Sequence, residues 1–177
     1  MQDYCQAALI DSETAVLATY SSITKFNFVS QKLSKIEYPG SKYSSIIFLE
    51  DHVMDIHYHT DSNAIFLCER KGKIFAFSKS SPTAVLVSKG YSFHQNWCHK
   101  TLSSYKKSLL INSSSKLYYI KEVNKGSFNS KISLNLNLLK EERVSCAEFI
   151  SEETVIAATS TGRVILYNLP EGKIEAC

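Results

Sequence analysis

The feature that most constrains this chain is an internal repeat of short strand-like segments. In its clearest copy, residues 147–177, apolar and polar side chains alternate on both sides of a polar turn at residues 151–153. A turn at residues 160–162 precedes a run of β-branched and aromatic residues, and a turn at residues 170–172 precedes the last run. Four strands therefore fit into about thirty residues, which predicts an up-and-down antiparallel sheet.

Weaker copies of this module lie upstream. Residues 11–19 (DSETAVLAT) match residues 151–159 (SEETVIAAT), and further strand-like runs begin near Asp51 and Trp97. In the third copy we expect the inner strand at residues 97–102, followed by a turn at 103–107 and an outer strand at 131–139. No segment with helical periodicity exceeds about two turns, so the predicted fold class is all-β. The predicted modules fill a single domain, 1–177, at roughly 1–50, 51–90, 91–140 and 141–177.

The order of features in the fourth module resembles a blade of the tryptophan-aspartate (WD) repeat propellers. In that family small residues, an Asp-Gly turn and a strand ending in Trp-Asp follow one another. Here residues 157–160, Thr161-Gly162 and Tyr167-Asn168 take those places. The positions that correspond to the Trp are 26, 77, 120 and 167, spaced by 51, 43 and 47 residues. The resemblance implies a partial WD-type β-propeller of about four four-stranded antiparallel blades. Thr161 replaces the turn Asp, which puts the family's blade-stapling hydrogen bonds in question.

Four modules are few for such a ring, because WD propellers usually close with about seven blades. Sheet edges left open must be covered or paired. Three explanations follow. The chain is part or a short isoform of a longer propeller, a partner supplies or caps the remaining blades, or four blades close alone, which the WD-like pattern favours least.

Charge and cysteine usage indicate the class of environment. A net charge of +3 is too small to indicate nucleic-acid binding by itself. The five cysteines are widely separated and form no C-x-x-C pair, which indicates a reducing compartment. No apolar run is long enough for a membrane span, and the first thirteen residues lack the basic and apolar regions of a secretory signal. We therefore predict a soluble, cytoplasmic or nuclear protein that is not secreted.

The one motif with metal-ligand character is His57-Tyr58-His59-Thr60-Asp61. Strand alternation places Asp55, His57 and His59 on one face, and H-x-H-x-D resembles the zinc-binding run of metallo-β-lactamase-type hydrolases. That motif continues with a second histidine, where this chain has Ser62. We therefore predict no metal site and interpret the histidines as hydrogen-bonded strand and turn residues.

Catalytic templates are absent from the sequence. It contains no G-x-S-x-G elbow, no G-x-x-x-x-G-K-[ST] phosphate loop and no G-x-G-x-x-G. Glu141-Glu142 and Glu152-Glu153 fall in turns, where we expect solvated carboxylates. The prediction is a protein that is not an enzyme, with no catalytic residue, cofactor or small-molecule substrate.

We predict instead an interaction scaffold, a subunit of an intracellular multiprotein complex. The resemblance to WD propellers implies protein partners. The loops that depart most from ordinary blades are residues 38–43 and 90–99, and aromatic side chains dominate interface hot spots. The candidate partner contacts are Tyr38, Tyr43, Tyr91, Phe93 and Trp97. Filling the interface between blades explains the same aromatics equally well.

An alternative is an RNA-binding, RNA-processing or RNA-modification accessory subunit. Between residues 100 and 131 there are seven lysines and one acidic residue, interleaved with aromatics. Lysines neutralise phosphates and aromatic rings stack on bases. The candidate contacts are Lys100, Lys106, Lys107 and Lys116. A solvated, serine-rich blade edge accounts for the same composition.

Overall fold

The computed structural model describes residues 6–18, 23–35, 53–78, 85–91, 101–113, 115–124 and 127–177. These residues form sixteen strands in four four-stranded antiparallel sheets, and no helix is present among them. Within each sheet the strands follow one another in chain order. The prediction of an all-β chain built from four such sheets is confirmed. No helix in the described part of the chain is long and apolar enough to cross a membrane.

The strand bounds repeat the same short lengths in every sheet. The first sheet contains β1 (Gln6–Leu9), β2 (Thr14–Ala18), β3 (Ile23–Asn27) and β4 (Lys32–Lys35), and the second contains β5 (Val53–His59), β6 (Ala64–Glu69), β7 (Ile74–Ser78) and β8 (Val85–Ser88). The third contains β9 (Leu102–Tyr105), β10 (Ser108–Asn112), β11 (Leu117–Asn124) and β12 (Ser127–Leu134), and the fourth contains β13 (Val144–Phe149), β14 (Thr154–Thr159), β15 (Val164–Asn168) and β16 (Lys173–Ala176).

The third sheet differs from the sequence prediction at its inner and outer strands. Ser103 and Ser104, predicted to lie in a turn, belong to β9 and pair with Leu110 and Leu109 of β10. The hairpin turn between β9 and β10 consists of residues 106–107. Lys106 has a positive φ of 49°, which is common in two-residue hairpin turns. The outer strand lies at 127–134 rather than 131–139. The turn predicted to begin at Ser103 was wrong, because ladder pairing satisfies the backbone groups of both serines. Residues 97–100 of the predicted inner strand lie outside the described residues.

The chain forms two compact units, residues 1–90 and 91–177. In the first unit β1 lies beside β5, and a core forms between the first and second sheets. Its members are Ile10, Val16, Val53, Ile56, Ile65, Leu67, Phe75 and Phe77. In the second unit β9 and β10 lie beside β13, and a core joins the third and fourth sheets. Its members are Leu110, Leu117, Leu134, Leu136, Val144, Ala147, Val155, Ala157, Ile165 and Tyr167.

Candidate interaction surfaces

Strand alternation separates the two faces of the first sheet. Val16 of β2 is fully buried in the core shared with the second sheet. Its neighbours Ala15 and Leu17 point to the opposite face, because successive side chains of a strand alternate. The first sheet therefore packs on the second with one face only.

The other face of the first sheet is apolar and largely uncovered at its edges. Leu9, Ala15, Phe26 and Leu33 are cross-strand partners in one row across all four strands. Leu9 is 69% exposed and Leu33 is 66% exposed, whereas Phe26 is half-buried and packs edge-on against Phe28, with ring centroids 5.2 Å apart. We call this row, together with Leu17, the first outward face.

The fourth sheet has the same division. Val155, Ala157 and Ile165 lie in the core shared with the third sheet. The opposite face carries two rows of cross-strand partners. One is the apolar row of Cys146, Ala158 and Val164, and the other begins with Glu148 on β13 and continues with the apolar Ile156, Leu166 and Ala176. Val164 is 51% exposed, and Ile156, Ala158 and Leu166 are half-buried. We call these rows the second outward face.

The sequence carried a signal for both outward faces. Residues 7–10 and 15–18 are apolar at every position, as are 155–158. A continuous apolar run of this length is typical of a strand that is covered on both faces. These runs therefore carry information about a second apolar face as well as about the positions of the strands.

A buried carboxylate organises the fourth sheet. Glu142, in the segment that enters β13, is 1% exposed. Its Oε1 accepts hydrogen bonds from the hydroxyls of Thr159 and Thr161, at 2.5 and 2.6 Å. Its Oε2 accepts from the Leu139 amide and from Arg163, both at 2.7 Å. The expectation that Glu142 is solvated was therefore wrong: the entry to β13 folds back over the β14–β15 turn and places the carboxylate among four donors.

The same network takes the place of the Asp that the WD family has in this turn. Thr161 lies in the turn where the WD family has its Asp, and it donates to Glu142 instead of accepting. The turn keeps its tight geometry, with Gly162 at a φ of 85° and its amide bound to the Thr159 carbonyl. The blade is stapled by a carboxylate from the preceding loop rather than from the turn.

The staple predicts a specific pH dependence. Burial raises the pKa of Glu142, but the hydrogen bonds from Thr159, Thr161 and Leu139 and the charge of Arg163 outweigh it and lower the pKa to about 2. Because the pKa is depressed on folding, the stabilisation is complete above the ordinary value of 4.5 and is lost as the pH falls towards 2. We expect Glu142→Gln to flatten the pH dependence of the urea unfolding midpoint between pH 4.5 and 2. Parallel curves for wild type and variant would contradict this assignment.

Of the predicted partner-contacting aromatics, only Tyr91 falls within the described residues. Tyr38, Tyr43, Phe93 and Trp97 lie outside them. Tyr91 is 5% exposed, and its ring packs edge-on against Tyr118 at a centroid distance of 5.3 Å. The Lys131 ammonium lies 4.8 Å from one ring centroid and 4.9 Å from the other. Within this chain, Tyr91 therefore exposes little surface that a protein partner could contact.

The predicted nucleic-acid contacts are not brought into one patch. Lys106 and Lys107 form the turn between β9 and β10, whereas Lys116 lies beyond the other end of β10. Lys106 also pairs with Glu152 at an N–O distance of 2.5 Å. Lys100 lies outside the described residues. The described candidate lysines thus lie at the two ends of β10.

The histidine motif forms part of a turn. His59 is fully buried, and its Nδ1 accepts a hydrogen bond from the Ser62 amide at 3.2 Å, with the Ser62 hydroxyl 2.8 Å away. Its ring packs edge-on against Phe66. In the regions that the structure describes, no group of three or more His, Cys, Asp and Glu side chains could hold a metal ion.

Comparisons with known proteins show the fold and no family. No protein-family model matches the sequence, and no curated protein is significantly similar to it. Solved structures match over nearly the whole chain. The Dos1 propeller matches with a TM-score of 0.70 and 14% identity over 97% of this chain, and a chain of the mitotic checkpoint complex matches with a TM-score of 0.66 and 10% identity over 98%. The computationally designed Ika4 protein matches with a TM-score of 0.65 and 11% identity over 96%.

These matches define the class. The chain has the fold of a β-propeller. It spans 48% of the Dos1 propeller chain and 48% of the checkpoint chain, but 93% of Ika4. The chain thus corresponds to about half the length of the two longer matched chains.

Proposed function

We propose that this protein is a non-enzymatic interaction scaffold, a subunit of an intracellular multiprotein complex. The observation that carries the proposal is the pair of outward faces, where Leu9, Leu33 and Val164 are more than half exposed in apolar rows of the first and fourth sheets. Contiguous exposed apolar surface marks interaction sites in soluble proteins. Burial of apolar surface is the main favourable contribution to the free energy of protein association. We therefore expect a protein partner to bind at these faces.

Two further observations support the proposal. The described cysteines Cys68, Cys146 and Cys177 form no disulfide with one another, which is consistent with a reducing compartment. One matched structure is, by its name, part of a mitotic checkpoint complex, so the same fold serves as a complex subunit in that protein. The aromatic residues Tyr38, Tyr43, Phe93 and Trp97 stay proposed as additional loop contacts.

The test is capture of partners by the purified, tagged chain from nuclease-treated extract of the cells that express it. We expect a stoichiometric protein whose recovery falls about tenfold or more when Leu9 and Leu33 are both changed to Asp, because buried charges on an interface are costly. The matched control is Ile150→Asp, since Ile150 is also highly exposed but lies in the turn between β13 and β14, outside both outward faces. Circular dichroism and urea unfolding verify that each variant is folded.

Unchanged recovery by the folded Leu9→Asp/Leu33→Asp variant would contradict the assignment of the first outward face. Equal loss with the control variant would show a general effect of added charge. Either result would reject the proposed site.

A further inference from the structure

We propose that a groove beside the end of β12 binds a short extended segment of a partner protein, one that carries an acidic side chain next to an apolar side chain. The inference rests on the proposed function in that the partner is a protein. It concerns a separate surface, because no residue that lines the groove belongs to either outward face.

The groove lies within the second unit and has a volume of about 310 Å³. Its floor consists of Leu117, Leu134, Leu136 and Leu138, which belong to the core between the third and fourth sheets or pack against it. Exposed polar residues form its rim. Ligand pockets typically measure about 300–1,000 Å³, so this groove accepts a few residues of a peptide rather than a folded domain.

The main chain beside the groove favours an extended occupant. Leu136 and Leu138 follow β12 without joining a sheet. Among the described residues, no hydrogen bond uses the main-chain amide or carbonyl of either leucine. An extended peptide supplies alternating donors and acceptors that pair with such groups, as in the addition of a strand to a sheet edge.

The protein itself holds this wall of the groove in place. The Asn137 amide donates a hydrogen bond to Asn135 Oδ1 at 3.2 Å, and the Asn137 carbonyl accepts one from Arg163 at 3.4 Å. Arg163 is anchored in turn by the carboxylate of Glu142. The Glu142 network thus fixes the wall before a peptide binds, which lowers the entropic cost of binding.

The charge of the groove determines which peptide fits. Among the described residues that line it, Lys116 is the only charged one, and it is exposed at the rim. The Ser113 amide donates to the Lys116 carbonyl at 2.9 Å and fixes the backbone of this turn. An acidic side chain complements Lys116, while a neighbouring apolar side chain covers the leucines of the floor. A nucleic-acid strand fits less well, because its phosphates need several cations.

The probe is a display library of random octapeptides, selected on the purified full-length chain. We expect enrichment of sequences that place an apolar residue beside Asp or Glu. Fluorescence anisotropy of a labelled, enriched peptide then gives the dissociation constant. Lys116→Glu should weaken binding about tenfold through charge repulsion, and Ser133→Tyr should weaken it about tenfold or more, because Ser133 lines the groove.

Both altered residues are exposed, so the variants should fold, which circular dichroism verifies. The matched control is Lys121→Glu, which changes an exposed lysine of β11 outside the groove and should leave the affinity unchanged. Exchanging the charges identifies the contact. A peptide whose acidic residue is replaced by Lys should bind the Lys116→Glu variant more tightly than it binds the wild-type chain.

Four outcomes would overturn the inference. They are a library without enriched peptides, a dissociation constant insensitive to both groove variants, exchanged charges that restore no binding, and a single-stranded oligonucleotide that displaces the peptide from Lys116. The Leu9→Asp/Leu33→Asp variant should bind the peptide as the wild type does. Failure of the groove therefore leaves capture through the outward faces standing, and failure of the outward faces is measured separately.

Discussion

Replacing Glu142 with alanine is expected to lower the free energy of unfolding by about 3 kcal/mol. The carboxylate is buried, and its removal leaves the hydroxyls of Thr159 and Thr161 and the Leu139 amide without their shared acceptor. It also removes the partner of the partly buried Arg163. Urea unfolding, followed by circular dichroism, measures the loss.

The matched control is Glu153→Ala. Glu153 is a turn residue of the same sheet, but its side chain is exposed. We expect its change in stability to stay within about 0.5 kcal/mol, as for most surface substitutions. Similar unfolding midpoints for the two variants would show that the Glu142 network does not staple the blade.

Replacing Ile165 with alanine should cost about 3 kcal/mol. Ile165 is fully buried in the core between the third and fourth sheets, with Leu110 and Val155 in the same cluster. Truncation removes buried methyl and methylene groups and leaves a cavity that the sheet pairing cannot close. The cost is measured by urea unfolding, followed by circular dichroism.

The control lies one residue away. Val164→Ala alters the opposite face of β15, where the side chain is half exposed, and should change the stability of the single chain by less than about 1 kcal/mol. Equal costs for the two variants would contradict the assignment of the two faces.

The repeat and most of the strands could be predicted from the sequence, because both depend on local chemistry. Alternation of apolar and polar residues defines a half-buried strand within four to six positions, and turn residues mark its ends. The local pattern was misleading at Ser103 and Ser104, because serine is common in turns and is also found in strands. Their place in β9 depends on pairing with Leu109 and Leu110, which is not a local property.

The candidate surfaces required the tertiary structure. From the sequence, Glu142 was one of several turn carboxylates, and only folding brings it to Thr159, seventeen residues further along the chain. Likewise, the apolar runs around Leu9 and Val164 indicated that these strands have two apolar faces. They did not indicate which of the two faces is covered within the same unit. The sequence by itself determined four similar antiparallel sheets, since strand period and turns are encoded locally. Only the tertiary structure decided which faces are used within the chain and which remain for a partner, because burial depends on contacts between sheets that are distant in sequence.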